Sequence, residues 1–201
     1  MKNILLFVLS IFTISQITAQ NAPIDFEVNG NGANWTWTTF ENDSNPPLEI
    51  IANPDPSGIN TSDTVAQFTA LLTGAPFAGV ESMHGSDIGQ FMLNASTSTI
   101  KIMVWKSVIS DVGIKLVDPG NGSLGEIKKS NTVINEWEEL SFDFSDMVGI
   151  LYDQIVIFPD FAARSMDNVV YFDNITFGEQ VQLPSPMVAA SDPTEDAANV
   201  I

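Results

Sequence analysis

Short alternations of apolar and polar residues run through positions 22–178, and turn-forming clusters separate them. In Ile100-Lys101-Ile102-Met103-Val104-Trp105-Lys106, the residues Ile100, Ile102 and Val104 share one face of an extended strand. Lys101, Met103 and Trp105 share the other. The same period of two, or a short apolar run, predicts strands over 23–28, 34–40, 48–52, 64–72, 88–94, 98–105, 111–117, 123–130, 136–144, 153–158 and 168–177. Between them lie Asn29-Gly30-Asn31-Gly32, Pro54-Asp55-Pro56-Ser57-Gly58 and Asp118-Pro119-Gly120-Asn121-Gly122, all turn chemistry. No long helical period interrupts the series. Many short strands joined by turns predict an all-β sandwich, and about 155 residues make one domain.

The strand phases place candidate chemistry. Val112, Ile114 and Leu116 read inward, while Asp111 and Lys115 read outward. If this strand pairs with the one before it, an outer face carries Trp105 beside Lys101 and Lys115. A flat indole can stack on a sugar ring and charged groups can bind its hydroxyls, so this is a candidate carbohydrate platform. Trp35 and Trp37 also share a strand face and could form a platform ~7 Å long, or pack in the core. Trp137 is out of phase with Leu140, Phe142 and Phe144, which gives it a structural role covering an edge. His84, the single histidine, falls in a loop.

The two ends of the folded region match. It opens with Pro23-Ile24-Asp25-Phe26-Glu27 and closes with Tyr171-Phe172-Asp173-Asn174-Ile175-Thr176-Phe177. Asp173 reads in the phase of Tyr171, Ile175 and Phe177. A carboxylate in an apolar phase is costly unless it is paired or bound to a metal. The acids of the opening segment could share its site. The first and last strands are therefore expected to be pinned together, with calcium as a candidate clamp.

Charge narrows the partners. Seven basic residues face 25 acidic ones, for a net charge of −18, which disfavours nucleic acid and anionic membrane surfaces. The absence of cysteine excludes disulfides, thiolate metal sites and a cysteine nucleophile. Residues 1–20 read as a secretory signal peptide. Lys2 gives a positive start, Ile4 to Phe12 are apolar but for Ser10, and Thr18-Ala19-Gln20 offers a cleavage region. The apolar run falls short of the ~20 residues that span a bilayer. The protein is thus expected to be secreted or at the outer cell surface. Residues 179–201, with Leu183-Pro184-Ser185-Pro186 and Ser191-Asp192-Pro193, read as a linker and the truncated start of a following module.

An ordered set of short pieces carries a family resemblance. It comprises Ile24-Asp25-Phe26-Glu27, Asn53-Pro54, Ser57-Gly58-Ile59-Asn60-Thr61-Ser62 with Val65, and Phe77-Ala78-Gly79-Val80. It continues with Val104-Trp105, Trp137-Glu138-Glu139-Leu140-Ser141-Phe142-Asp143-Phe144, Phe158-Pro159-Asp160-Phe161 and Tyr171-Phe172-Asp173-Asn174-Ile175. The set resembles the β-jelly-roll carbohydrate-binding modules of secreted Bacteroidota proteins. Such modules occur in glycan-binding surface proteins and beside glycoside hydrolases such as laminarinases. The resemblance covers most of 22–178 and implies a galactose-binding-like jelly roll with a structural calcium (Ca2+). The matching metal ligands are Glu27 and Asp173, with Asp25 as an alternative. Glycan contacts in such modules come from a concave sheet face or from edge loops, and no specific sugar-binding residue carries over.

A catalytic reading finds no local signature. A retaining glycosidase needs two carboxylates about 5 Å apart. The Glu-x-Asp-x-x-Glu strand pattern of laminarinase-type hydrolases is missing from 126–139 and from the segment around Asp25. No Gly-x-Ser-x-Gly elbow accompanies His84, and no phosphate-binding glycine motif is present. The expected function is non-catalytic binding of a neutral polysaccharide, such as the β-glucan laminarin. A structural or adhesion jelly roll without a sugar site is the rival reading, as is an accessory domain of a glycoside hydrolase.

Overall fold

A computed structural model describes residues 20–178. The leader read over 1–20, apart from Gln20, and the linker read over 179–201 lie outside the described residues.

The chain forms β1 (Thr38–Phe40), β2 (Glu49–Ala52), β3 (Thr64–Ala70), β4 (Gly79–Glu81), β5 (Phe91–Met92) and β6 (Thr99–Lys106). It continues through β7 (Asp111–Val117), β8 (Glu126–Ser130), β9 (Trp137–Asp143), β10 (Leu151–Tyr152), β11 (Gln154–Phe161) and β12 (Asn168–Gly178). A 3-10 turn, Ser145–Met147, follows β9. The first sheet has the order β1-β4-β11-β7-β8 and the second β2-β3-β12-β6-β9, with β5 and β10 as a separate pair. Every strand pair is antiparallel. This is an all-β sandwich of jelly-roll type. Chain crossings such as β6 to β7 and β11 to β12 pass from one sheet to the other.

The alternation seen in the sequence builds the core between the sheets. Ile100, Ile102 and Val104 of β6, Val112, Ile114 and Leu116 of β7, and Ile155 and Ile157 of β11 are all buried in one cluster with Phe26, Phe68 and Phe172. A smaller apolar cluster of Val117, Val156 and Phe158, with Phe40 and Phe161, lies on the outer face of the first sheet. There Phe40 lies across Gly79, where an added Cβ would come within 2.8 Å of the ring. Phe158 crosses Gly113 in the same way.

Several expected strands are shorter than the pattern suggests. The opening segment is no strand but makes two isolated bridges at Ile24, a parallel one to Asn31 and an antiparallel one to Ile175, and only the last three residues of 34–40 are extended. The bridge to Ile175 has two hydrogen bonds of 2.9 Å, from Ile24 N–H to Ile175 C=O and the reverse. The two ends are therefore pinned together.

A bulge corrects the phase assigned to Asp173. On β12, Val170 and Phe172 face the core. The register with β6 then shifts between Asp173 and Thr176, where Asn174 adopts φ 48°. Asparagine tolerates this left-handed geometry, and the extra residue reverses which side chains point inward. Ile175 is core, but Tyr171 faces outward against Trp105. Asp173 thus belongs to the outer phase, opposite Met103, and is buried by a loop rather than by the core.

One end of the sandwich holds buried charge. Asp160 has no exposed surface and lies 3.6 Å from both Lys106 Nζ and Arg164 Nη1, which are themselves buried. It accepts hydrogen bonds from Ser110 Oγ and from Asn168 Nδ2 at 2.9 Å. Arg164 donates to the carbonyls of Leu71, Asp160, Ala162 and Ala75. Burial pulls the Lys106 ammonium down to about 8, against the opposing pull of Asp160 and Asp111.

Candidate functional site: the outer face of the second sheet

Strand register aligns one residue from each strand of the second sheet into a lateral row. Glu49 pairs with Gln67, Gln67 with Tyr171, Tyr171 with Trp105, and Trp105 with Trp137. Partners in register share a face, so all five side chains stand on the outer side of the sheet. At about 4.8 Å per strand, the row spans about 19 Å. Its aromatic half holds Trp105 and Tyr171 edge to face, with ring centroids 5.5 Å apart. Its polar half holds Gln67 Nε2 bound to Glu49 Oε2 at 2.6 Å. A second row runs beside it through Asp173, Met103 and Glu139.

The loop 53–63, between β2 and β3, folds over part of this face. Asp55 Oδ2 accepts the Trp105 indole N–H at 3.3 Å, and the Asp55 carbonyl accepts that of Trp137 at 2.8 Å. Asn60 Nδ2 donates to Asp173 Oδ2 at 2.9 Å. Trp137 is left only 8% exposed, whereas Trp105 and Tyr171 stay half-buried. Trp137 is therefore structural, as its phase suggested.

The residues expected to share a sugar platform do not all meet. Trp105 and Lys101 occupy the same face, and Lys101 Nζ pairs with Glu139 Oε1 at 2.7 Å. Lys115 stands on the other side of the sandwich. β7 does not pair with β6 but lies in the first sheet, where Lys115 Nζ sits 5.7 Å from the Phe158 ring. Trp35 and Trp37 stack on each other at 5.6 Å and pack against the main core beside Phe26. The Trp37 indole donates to the Gly32 carbonyl at 2.9 Å. This places them in packing rather than on the row with Trp105. His84 is half-buried in its loop, with Nδ1 2.8 Å from Asp153 Oδ1.

Two residues of the site were not singled out from the sequence. Tyr171 was assigned to the core phase, and only the bulge reveals that it faces Trp105. Asp55 read as part of a turn. The signal was there in its two prolines, which stiffen a loop long enough to cross a sheet.

The acids of the matched ends form a separate cluster. Asp173 Oδ1 accepts the Asn174 backbone N–H at 2.7 Å. Burial pushes its carboxyl up to about 6; bonds from Ser62, Asn60 and Asn174 pull it down, and the charge of Glu27 adds to the rise. Glu27 Oε1 accepts the N–H groups of Asp63 and Thr64 at 2.8 and 3.2 Å. Asp25 instead ties its own turn, with Oδ1 accepting the N–H groups of Glu27 and Asn31. Gly30 is required there, because a Cβ would collide with the Asp25 carboxylate. Among the described residues, no three acidic, histidine or cysteine side chains converge as a metal site. Among them, too, no helix is long and apolar enough to cross a membrane.

No protein-family profile matches the chain, and no curated protein matches it. Solved structures do. The arabinose-bound α-L-arabinofuranosidase MgGH51 matches with a TM-score of 0.51 at 14% identity, over 81% of this chain but only 26% of that one. TmCBM61, solved in complex with β-1,4-galactotriose, matches with a TM-score of 0.49 at 11% identity, over 81% of this chain and 100% of that one. The CBM22-1 xylan-binding domain of Paenibacillus barcinonensis Xyn10C gives 0.48 at 13% identity, over 83% and 99%. At these identities the likeness is one of fold.

Proposed function

We propose that this domain binds a polysaccharide without cleaving it, on the outer face of the second sheet. The observation that carries the reading is the row Glu49–Gln67–Tyr171–Trp105–Trp137, in register across five strands. Two aromatic side chains at its centre offer apolar surface to pyranose faces, and the polar residues toward one edge offer partners to hydroxyls. A row crossing the strands suits a chain-like ligand. A neutral β-glucan such as laminarin is the favoured class, since the protein is strongly acidic. The leader-like start supports a secreted or surface-exposed protein that holds glycan near degrading enzymes. Affinity gel electrophoresis against a panel of neutral and charged polysaccharides tests this. Retardation by at least one neutral glycan is expected; migration unchanged by every glycan, with the domain folded, overturns it.

A structural calcium at the matched ends is a separate proposal. Glu27 and Asp173 present hard oxygen donors close enough for their charges to interact. Calcium takes 6–8 oxygens, so carbonyl, amide or water oxygens would complete the shell, with Asp25 as the alternative acid. The ion would supply positive charge where a buried carboxylate is costly. Adding calcium at about 100 times its Kd should stabilise the fold by about 3 kcal/mol, and chelator should lower the melting temperature. A melting curve identical in calcium and in chelator removes the metal from the account.

A further inference from the structure

This inference rests on reading the Trp105 face as a glycan site. The loop 53–63 leaves the sheet at the β2–β3 edge but reaches across β12 and β6 to β9. It arrives there as a braced unit. Asn53 Nδ2 donates to the Ser62 carbonyl, Asn53 Oδ1 accepts the Asp55 N–H, and Asn60 Oδ1 accepts the Ser62 N–H.

An indole has a single polar group, its N–H donor. On this face both indole donors are consumed by one residue, Asp55, through its carboxylate and its carbonyl. The tryptophans therefore offer a ligand apolar surface and no hydrogen bond. The Asp55 carboxylate has capacity to spare. Oδ1 accepts Ser57 Oγ and Oδ2 accepts Trp105, out of about four lone-pair sites. The other charged groups of the face include Glu49, Glu139, Asp143, Lys101 and the loop-covered Asp173, and Lys101 is held by Glu139.

We propose that Asp55, fixed beside the Trp105–Tyr171 pair by the two indole N–H groups, is the specificity-determining residue of this face. It accepts hydrogen bonds from the hydroxyls of a neutral glycan and repels one that carries carboxylate or sulfate. Selectivity then comes from a loop acid at the aromatic centre and not from the charge of the whole domain.

The test uses one neutral polysaccharide that the domain retards and the same polysaccharide carboxylated at its primary hydroxyls. Calorimetry on the wild type should give at least about tenfold tighter binding to the neutral form. Asp55→Asn keeps an oxygen for Trp105 and the carbonyl for Trp137. It should weaken neutral binding about tenfold, because a charge-assisted bond becomes a neutral one, and should narrow the discrimination. Glu81→Gln, on β4 of the opposite sheet, should change neither. If Asp55→Asn leaves the discrimination intact, or Glu81→Gln narrows it equally, the assignment is wrong while glycan binding stands. If the wild type binds no neutral glycan, glycan binding itself fails. Salt gives a readout independent of any variant: the wild-type discrimination should shrink in 1 M salt, where the Debye length is about 3 Å. Undiminished discrimination there overturns the assignment even if Asp55→Asn does not fold.

Discussion

Asp160→Ala should lower the unfolding free energy by about 3–5 kcal/mol, a large share of the stability of a domain this size. The carboxylate is the shared partner of Lys106 and Arg164 at the buried end of the sandwich. Removing it leaves two enclosed cations and orphans the bonds from Ser110 and Asn168. The pH dependence identifies the cause. With Lys106 drawn down to about 8 from its ordinary 10.5, the unfolded chain holds the extra proton between those values. Wild-type stability should therefore gain from this residue as pH rises above 8. Without Asp160 the ammonium is lost at lower pH. The deficit of the variant should then shrink as pH rises toward 8 and level off above it, where both folded forms hold a neutral Lys106. Urea melts at a series of pH values measure this, and a deficit that is small or constant with pH would show that the charges are not coupled as described.

Trp105→Ala should weaken binding to the polysaccharide by about 30-fold or more, the loss typical of a central aromatic anchor, with a modest effect on folding. Trp137→Ala should do the opposite in kind. Its ring is almost fully covered by loop 53–63, and its loss should cost about 3–5 kcal/mol of stability. Lys115→Ala should leave affinity unchanged, since that residue lies on the far sheet. Titration of the three variants with the same glycan separates these outcomes. A loss at Lys115 matching that at Trp105 would move the binding face to the other side of the sandwich.

Much of this architecture was legible in the alternation of residues. The strands read over 98–105, 111–117 and 136–144 fall within a residue or two of β6, β7 and β9. Their inward sets form the core as expected. Pairing was not legible, because the period of two assigns a face to each side chain and says nothing about which strands are neighbours. The crossing from β6 to β7 therefore separated Lys115 from Trp105. The bulge at Asn174 was hidden for a related reason: one extra residue flips every phase after it, and asparagine there looks like any polar position. β4 is only three residues long, too short to show a period. Lys106, in contrast, stood in the phase of Ile102 and Val104, where a lysine at an inward position could have signalled a buried ion pair.

The bridge between Ile24 and Ile175 also sets how the domain would answer to force. The segment before Ile24 and the segment after Ile175 leave the antiparallel bridge on the same side. Tension applied through them would load its two hydrogen bonds one after the other, as in opening a zip, instead of shearing them together. The opening segment would peel first and carry Ile24 and Phe26 out of the core. Contacts from Glu27 to Asp63 and Thr64 would be the next to resist. If the domain holds an immobile polymer, as proposed, its mechanical endurance would then depend on a few atoms at its own seam.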